Sequence, residues 1–205
     1  MDKKSDTKEL LLQCAKKEFL EKGYMKASLR SICKQAGVTT GALYFFFKDK
    51  EDLFAALVEE SFQKLLRVVE QHYKEESDVI EEDFPVEDAY DMNVDAVKQV
   101  VDLLYQYHDV FYLLVVKSHG SKFETCLEQL VEISEQHYKK LASNMEKQNQ
   151  GQVIQPYMLH WIAHMQTEFF VQILIHNIPK EEVMKNIDAM IRYSTYGWFG
   201  MLQKE

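Results

Sequence analysis

Turn-forming residues are scarce in this chain, with 7 glycines and 3 prolines among 205 residues. That scarcity favours long uninterrupted elements over a strand-and-turn architecture, and the expected class is all-α. The three cysteines, Cys14, Cys33 and Cys126, are odd in number and show no Cys-x-x-Cys spacing. They indicate neither a disulfide framework nor a zinc ribbon, and they suit a reducing compartment. No apolar run reaches transmembrane length, and the opening MDKKSDTKEL lacks the hydrophobic stretch of a signal peptide. The expectation is a soluble, cytoplasmic protein without a membrane partner. Also missing are a phosphate-binding loop, a nucleophile elbow and a paired metal motif, so an enzyme is not expected, nor is a cofactor.

What is present is charge, unevenly placed. The chain carries −9 overall, a poor sign for a nucleic-acid binder, but residues 1–55 hold 11 Lys or Arg against 8 Asp or Glu. That segment is therefore +3 and the remainder −12. Positive charge concentrates at one end, and the acidic remainder can be held off phosphates. A length of 205 residues accommodates one small module plus a larger domain with its own core.

Within the basic end, residues 28–47 read SLRSICKQAGVTTGALYFFF. Leu29, Ile32, Cys33 and Ala36 fall at helical spacing and give a first short helix one apolar face. Gly37 suits the positive φ of a tight inter-helix turn. Thr39 is placed to cap a second helix through its hydroxyl, with Val38 as a staple before it. Thr40, Gly41 and Ala42 leave that helix a slim start, whereas Leu43, Tyr44 and Phe47 can anchor it. Two short capped helices about a turn form a helix-turn-helix, a module that reads DNA.

The frame extends on both sides through Thr7, Ala15, Phe19, Gly23-Tyr24, Ser28, Lys50-Glu51 and Leu53. In residue order and spacing it resembles the tetracycline-repressor (TetR) family over roughly the first quarter of the chain. The resemblance implies a helix-turn-helix DNA-binding domain of three helices over 1–55, with the motif at 28–47. A long fourth helix would join it to a helical ligand-binding and dimerisation domain over 56–205. It implies a homodimer, double-stranded DNA with a near-palindromic operator, and a small-molecule effector that relieves repression.

Matched positions carry the implied DNA contacts. Arg30 would reach a guanine edge or a phosphate, and Thr40 a base edge. Thr39 would cap while meeting phosphate, Gly41 would admit the backbone closely, and Tyr44 would offer its hydroxyl to phosphate. Lys50 at the start of the fourth helix would form a second phosphate site, and Ser28 repeats that device earlier. One departure stands out: the family often has His or Tyr where this chain has Phe46, which leaves sugar contact or packing for that ring. Lys26, Lys34 and Lys48 lie near enough in sequence to offset the loss.

Beyond the motif, apolar spacing predicts a first helix over 7–22, with Asp6 and Glu9 as a capping pair, and a fourth from Lys50 to about residue 73. Residues 75–91 hold nine acids, no Lys or Arg, and Pro85, which reads as a solvated connection between helices. Further helices are expected over 92–108, 110–118, 122–148, 156–178 and 180–202, the last two as an antiparallel pair. Tyr105, His108, Tyr112, His119, Trp161, His164, Glu168 and Gln172 are candidate ligand-binding residues: aromatic walls with a few polar groups. His160, His164 and Glu168 share one helix face, a geometry open to a metal or to plain packing and hydrogen bonding; the zinc-protease pattern is missing. Two other functions stay open, a DNA-bound adaptor controlled by a protein partner and a helical-bundle metal-dependent enzyme.

Overall fold

The computed structural model describes residues 3–79, 86–147 and 153–202. Among these every regular element is a helix: α1 Lys3–Lys26, α2 Leu29–Gln35, α3 Thr40–Phe46, α4 Lys50–Val79, α5 Val86–Gln106, α6 His108–Tyr112, α7 Cys126–Lys147, α8 Pro156–Ile175 and α9 Lys180–Leu202, with a π-helical turn at Leu113–Lys117. None is long and apolar enough to cross a membrane.

Two compact units result. One comprises the described residues up to Gln63 together with Tyr107–Cys126; the other comprises Lys64–Gln106 and the described residues from Leu127 onward. The division departs from a boundary at residue 55, because residues 107–126 join the N-terminal unit. Apolar helical spacing shows that Phe111, Leu113 and Leu114 are buried, but not in which core. Here they are almost fully buried, Phe123 lies 6.1 Å from Phe54, and Lys16 pairs with Asp109 at 3.0 Å.

The core of the first unit is aromatic and aliphatic. Leu11, Ala15 and Phe19 of α1 are fully buried, as are Ile32, Leu43, Leu53, Phe54 and Val58. Phe19 and Phe54 meet edge to face at 5.0 Å, the arrangement their ring quadrupoles favour. α1 starts earlier than its spacing predicts, so Asp6 lies within its first turn and not at a cap. Gly23 interrupts α1 at φ 74°, ψ 164°, a left-handed conformation that costs glycine little.

In the second unit α5, α8 and α9 share a core of Val101, Ile173, Val183, Ile187 and Ile191. A further cluster gathers Leu141, Leu159 and Trp198. Asn177 takes φ 48°, and Ile178 N–H bonds back to the Ile173 carbonyl at 3.2 Å. That left-handed cap turns α8 into α9. The described residues of the acidic stretch are helical, since α4 continues to Val79 and α5 begins at Val86, while residues 80–85, including Pro85, lie outside the described residues. Glu76 is buried there, its carboxylate 2.7 Å from His137 Nε2.

Candidate nucleic-acid interface

Both motif helices are capped as their sequence requires. Ser28 Oγ accepts from Ser31 N–H at 3.4 Å, and Thr39 Oγ1 accepts from Ala42 N–H at 3.2 Å. Each hydroxyl satisfies one of the amide donors that a helix start leaves over. Gly37 joins the helices at φ 65°. Along α3, Leu43 is buried and Phe47 closes the helix inside the core. Thr40, Gly41, Tyr44 and Phe45 are exposed, so one face anchors and the opposite face is open.

A carboxylate that the sequence reading missed holds α2 in place. The Glu18 side chain is fully buried beside Lys22, 2.8 Å away. It accepts hydrogen bonds from Ser28 N–H at 3.2 Å, Ser31 Oγ at 2.9 Å and Gln35 Nε2 at 2.9 Å. Burial pushes its pKa upward, but the bonds from Lys22, Ser31 and Ser28 outweigh burial and hold the carboxyl below its ordinary value. A signal existed: Leu11, Ala15, Glu18 and Phe19 share one face of α1, so an acid stood on an apolar stripe.

Lys50, the implied second phosphate contact, is engaged by backbone carbonyls. Its ammonium donates to the carbonyls of Tyr24, Met25 and Ala27 at 2.7, 3.2 and 3.3 Å, and it sits 4.5 Å over the Tyr24 ring. Burial lowers its pKa. Next to it, Glu51 accepts from Tyr24 Oη at 2.8 Å and from Lys122 N–H at 3.1 Å. The pair Lys50-Glu51 thus clasps the end of α1 around Gly23-Tyr24. The start of α4 is capped by Asp49 Oδ1, which accepts from Asp52 N–H at 2.8 Å.

Arg30, Lys26, Lys34 and Lys48 are all exposed. Phe46 is half-buried and packs edge to face on Phe45 at 5.0 Å, so the ring that replaces a polar family residue is a packing element here.

The eight ligand candidates are divided between the two units. His108, Tyr112 and His119 belong to the first unit, and the other five to the second. His119 is exposed beside Glu124, and Tyr105 Oη donates to the Ile178 carbonyl. Trp161, His164 and Glu168 lie exposed along α8, and Gln172 donates to Glu168. A helical repeat reveals a shared face but not which way that face points. His160, the neighbour of His164 on that face, pairs with Glu135 at 2.7 Å, and no group of three metal-ligating side chains occurs among the described residues. The second unit instead opens a groove of about 940 Å³ between α4 and α5, lined by Lys64, Arg67, His72, Met92, Gln99 and Leu103 among others, and by none of the eight.

The class this architecture defines is an all-α protein with an N-terminal helix-turn-helix. Residues 11–57, which hold the helix-turn-helix, match the model of the bacterial regulatory proteins of the tetR family. It is 43% identical over 54 residues to the HTH-type transcriptional repressor BepR of Brucella suis, covering 26% of each protein. The chain spans about a quarter to a third of the length of the curated relatives it matches. Solved structures extend the likeness of fold over nearly the whole chain. A TerR/AcrR-family transcriptional regulator from Aquifex aeolicus aligns with TM-score 0.60 and 20% identity, over 91% of this chain and 98% of that one. The SmeT–triclosan complex aligns with TM-score 0.56 and 19% identity, over 98% and 93%.

Proposed function

We propose that this protein is a homodimeric transcriptional repressor that binds a near-palindromic operator in the cytoplasm and is released from it by a small-molecule effector. The observation that carries the reading is the open face of α3: Thr40, Gly41 and Tyr44 lie exposed on a helix whose other side is locked into the core. A helix so presented fits the major groove, with Thr40 at base edges and with Arg30, Tyr44 and Thr39 at sugar and phosphate. In this reading Lys50 and Ser28 serve by positioning α1 and α2.

The second copy is supported by a row of large side chains. Tyr157, Trp161 and Met165 recur every fourth residue on α8 and are 56%, 58% and 59% exposed. On α9, Tyr193 and Tyr196 are exposed beside the open positions Gly197 and Gly200. Two such faces packed on each other make a four-helix interface.

The effector site is the groove between α4 and α5, a reading favoured by what adjoins it. His72 on its wall donates to Asn93 Oδ1 at 3.0 Å, and Asn93 Nδ2 donates to Thr195 Oγ1 of α9 at 3.2 Å. An occupant of the groove thus acts on a hydrogen-bonded chain leading to the dimer helices. Triclosan in SmeT is a precedent for a small organic molecule on this fold. Coupling of about 1–3 kcal/mol changes operator affinity roughly 5- to 150-fold.

Selection from a random duplex pool, followed by mobility shifts and a thermal-shift screen of small molecules, tests the reading. An enriched palindrome, with binding that weakens steeply with salt, is the expected result. A pool that yields no enriched sequence counts against it.

A further inference from the structure

The open face of α3 carries one bulky side chain without a polar atom. Phe45 is 64% exposed, yet it is held in place: Phe46 packs edge to face on it at 5.0 Å and an interplanar angle of 89°, and the Lys4 ammonium sits 4.5 Å from its ring centroid. Phe46 itself leans on Phe47, which is anchored in the core. The ring is therefore a supported projection beside Tyr44, one turn along from Thr40 and Gly41.

We propose that Phe45 reads the 5-methyl group of thymine in the operator, a proposal that rests on the DNA-binding reading above. A phenyl ring has nothing to offer a phosphate or the hydrogen-bonding edges of the bases. The apolar group displayed on the floor of the major groove is the thymine methyl. Burying that methyl against the exposed ring removes both from water. The charge around the ring fits this occupant, because residues 1–55 are net +3 and Lys4 sets a cation at the ring where a flanking phosphate would lie. Phe46, half-buried, supports Phe45 instead of replacing a phosphate contact. The operator half-site accordingly contains thymine opposite the second turn of α3.

The test uses the full chain and the duplex enriched from a random pool, with each thymine replaced in turn by deoxyuridine, which removes only the methyl. Wild-type protein loses affinity about three- to fivefold at the thymine that Phe45 covers. Phe45→Ala loses about tenfold or more on the thymine duplex and no longer distinguishes thymine from deoxyuridine there. Melting curves of the two proteins should coincide, because the ring is exposed. Equal binding of wild type to every deoxyuridine duplex overturns the proposal, as does a Phe45→Ala protein that keeps the methyl preference. The deoxyuridine series on wild type decides the matter even where the variant is unstable. A pool without any enriched duplex overturns the DNA-binding reading itself, a different failure from operator binding that ignores the methyl.

Discussion

The two units solve the same packing problem with different polar chemistry. In the N-terminal unit the polar groups inside hold backbone: Glu18 takes the start of α2, Lys50 takes three carbonyls at the end of α1, and Glu51 takes Tyr24 and the Lys122 amide. In the second unit they hold one another. Tyr73 Oη meets Ser134 Oγ at 2.8 Å and Gln166 at 3.1 Å, Tyr138 donates to the same Gln166, and His137 stacks on Tyr73 at 4.0 Å while bonded to Glu76. Polar groups that cap helices fix a module's geometry, as a reading head requires. Side-chain networks across a bundle can rearrange together, which suits the ligand-responsive role proposed for the second unit.

The largest expected effect separates the units by function. Trp161→Glu combined with Met165→Glu places two charges in the exposed row of α8 without touching the first unit. If that row is the dimer face, sedimentation shows a monomer, and operator affinity falls by about a hundredfold or more as bivalent binding is lost. A variant that stays dimeric contradicts the assignment of the face.

Next comes Glu18→Ala, which leaves Ser28 N–H, Ser31 Oγ and Gln35 without their shared acceptor. The cost is about 1.5–3 kcal/mol, the worth of hydrogen bonds to a charged group, because Ser28 and Gln35 are open to water that can replace the carboxylate. Both tryptophans, Trp161 and Trp198, lie in the second unit, so their fluorescence is blind to the first. Hydrogen exchange at residues 28–36 should accelerate while the fluorescence midpoint in denaturant stays put. Equal movement of both signals would show that the two units unfold as one.

This contrast also explains what was legible in the sequence. The motif could be read because each step is local: Ser28 and Thr39 cap within three residues, and Gly37 supplies its own turn. The break between α8 and α9 was legible from Pro179 and the apolar spacing around it. The assignment of 107–126 was not, since the choice between two cores depends on distant partners such as Phe54 and Lys16. The same holds for Lys50, whose charge suggested phosphate although its acceptors lie more than twenty residues earlier. The ligand candidates show a further limit of local pattern. Aromatic and polar side chains on α8 look alike whether a face lines a cavity or a second subunit.

A smaller effect sharpens the division of labour within the reading head. Lys50→Ala should lower stability by about 1–2 kcal/mol through lost carbonyl bonds, and leave the salt dependence of DNA binding unchanged. Arg30→Ala should do the reverse, reducing the slope of log affinity against log salt by about 0.9 if it meets one phosphate. Swapped results would return Lys50 to the phosphate contact implied by the family resemblance.

The smallest effect is the acid sensitivity that Glu18 brings to the first unit. Glu18 titrates below its ordinary value of 4.5 in the folded protein, so folding binds its proton less readily than the unfolded chain does. Its contribution is therefore fully present above pH 4.5 and fades as the pH falls through the lower folded value. Exchange protection at residues 28–36 should stay level from pH 7 to about 5 and decline below that, once corrected for the intrinsic pH dependence of exchange. Glu18→Gln, which cannot titrate, should start less protected and lack the decline. Parallel pH profiles for the two proteins would move the acid response to other carboxylates and leave Glu18 with a pH-independent role in holding α2.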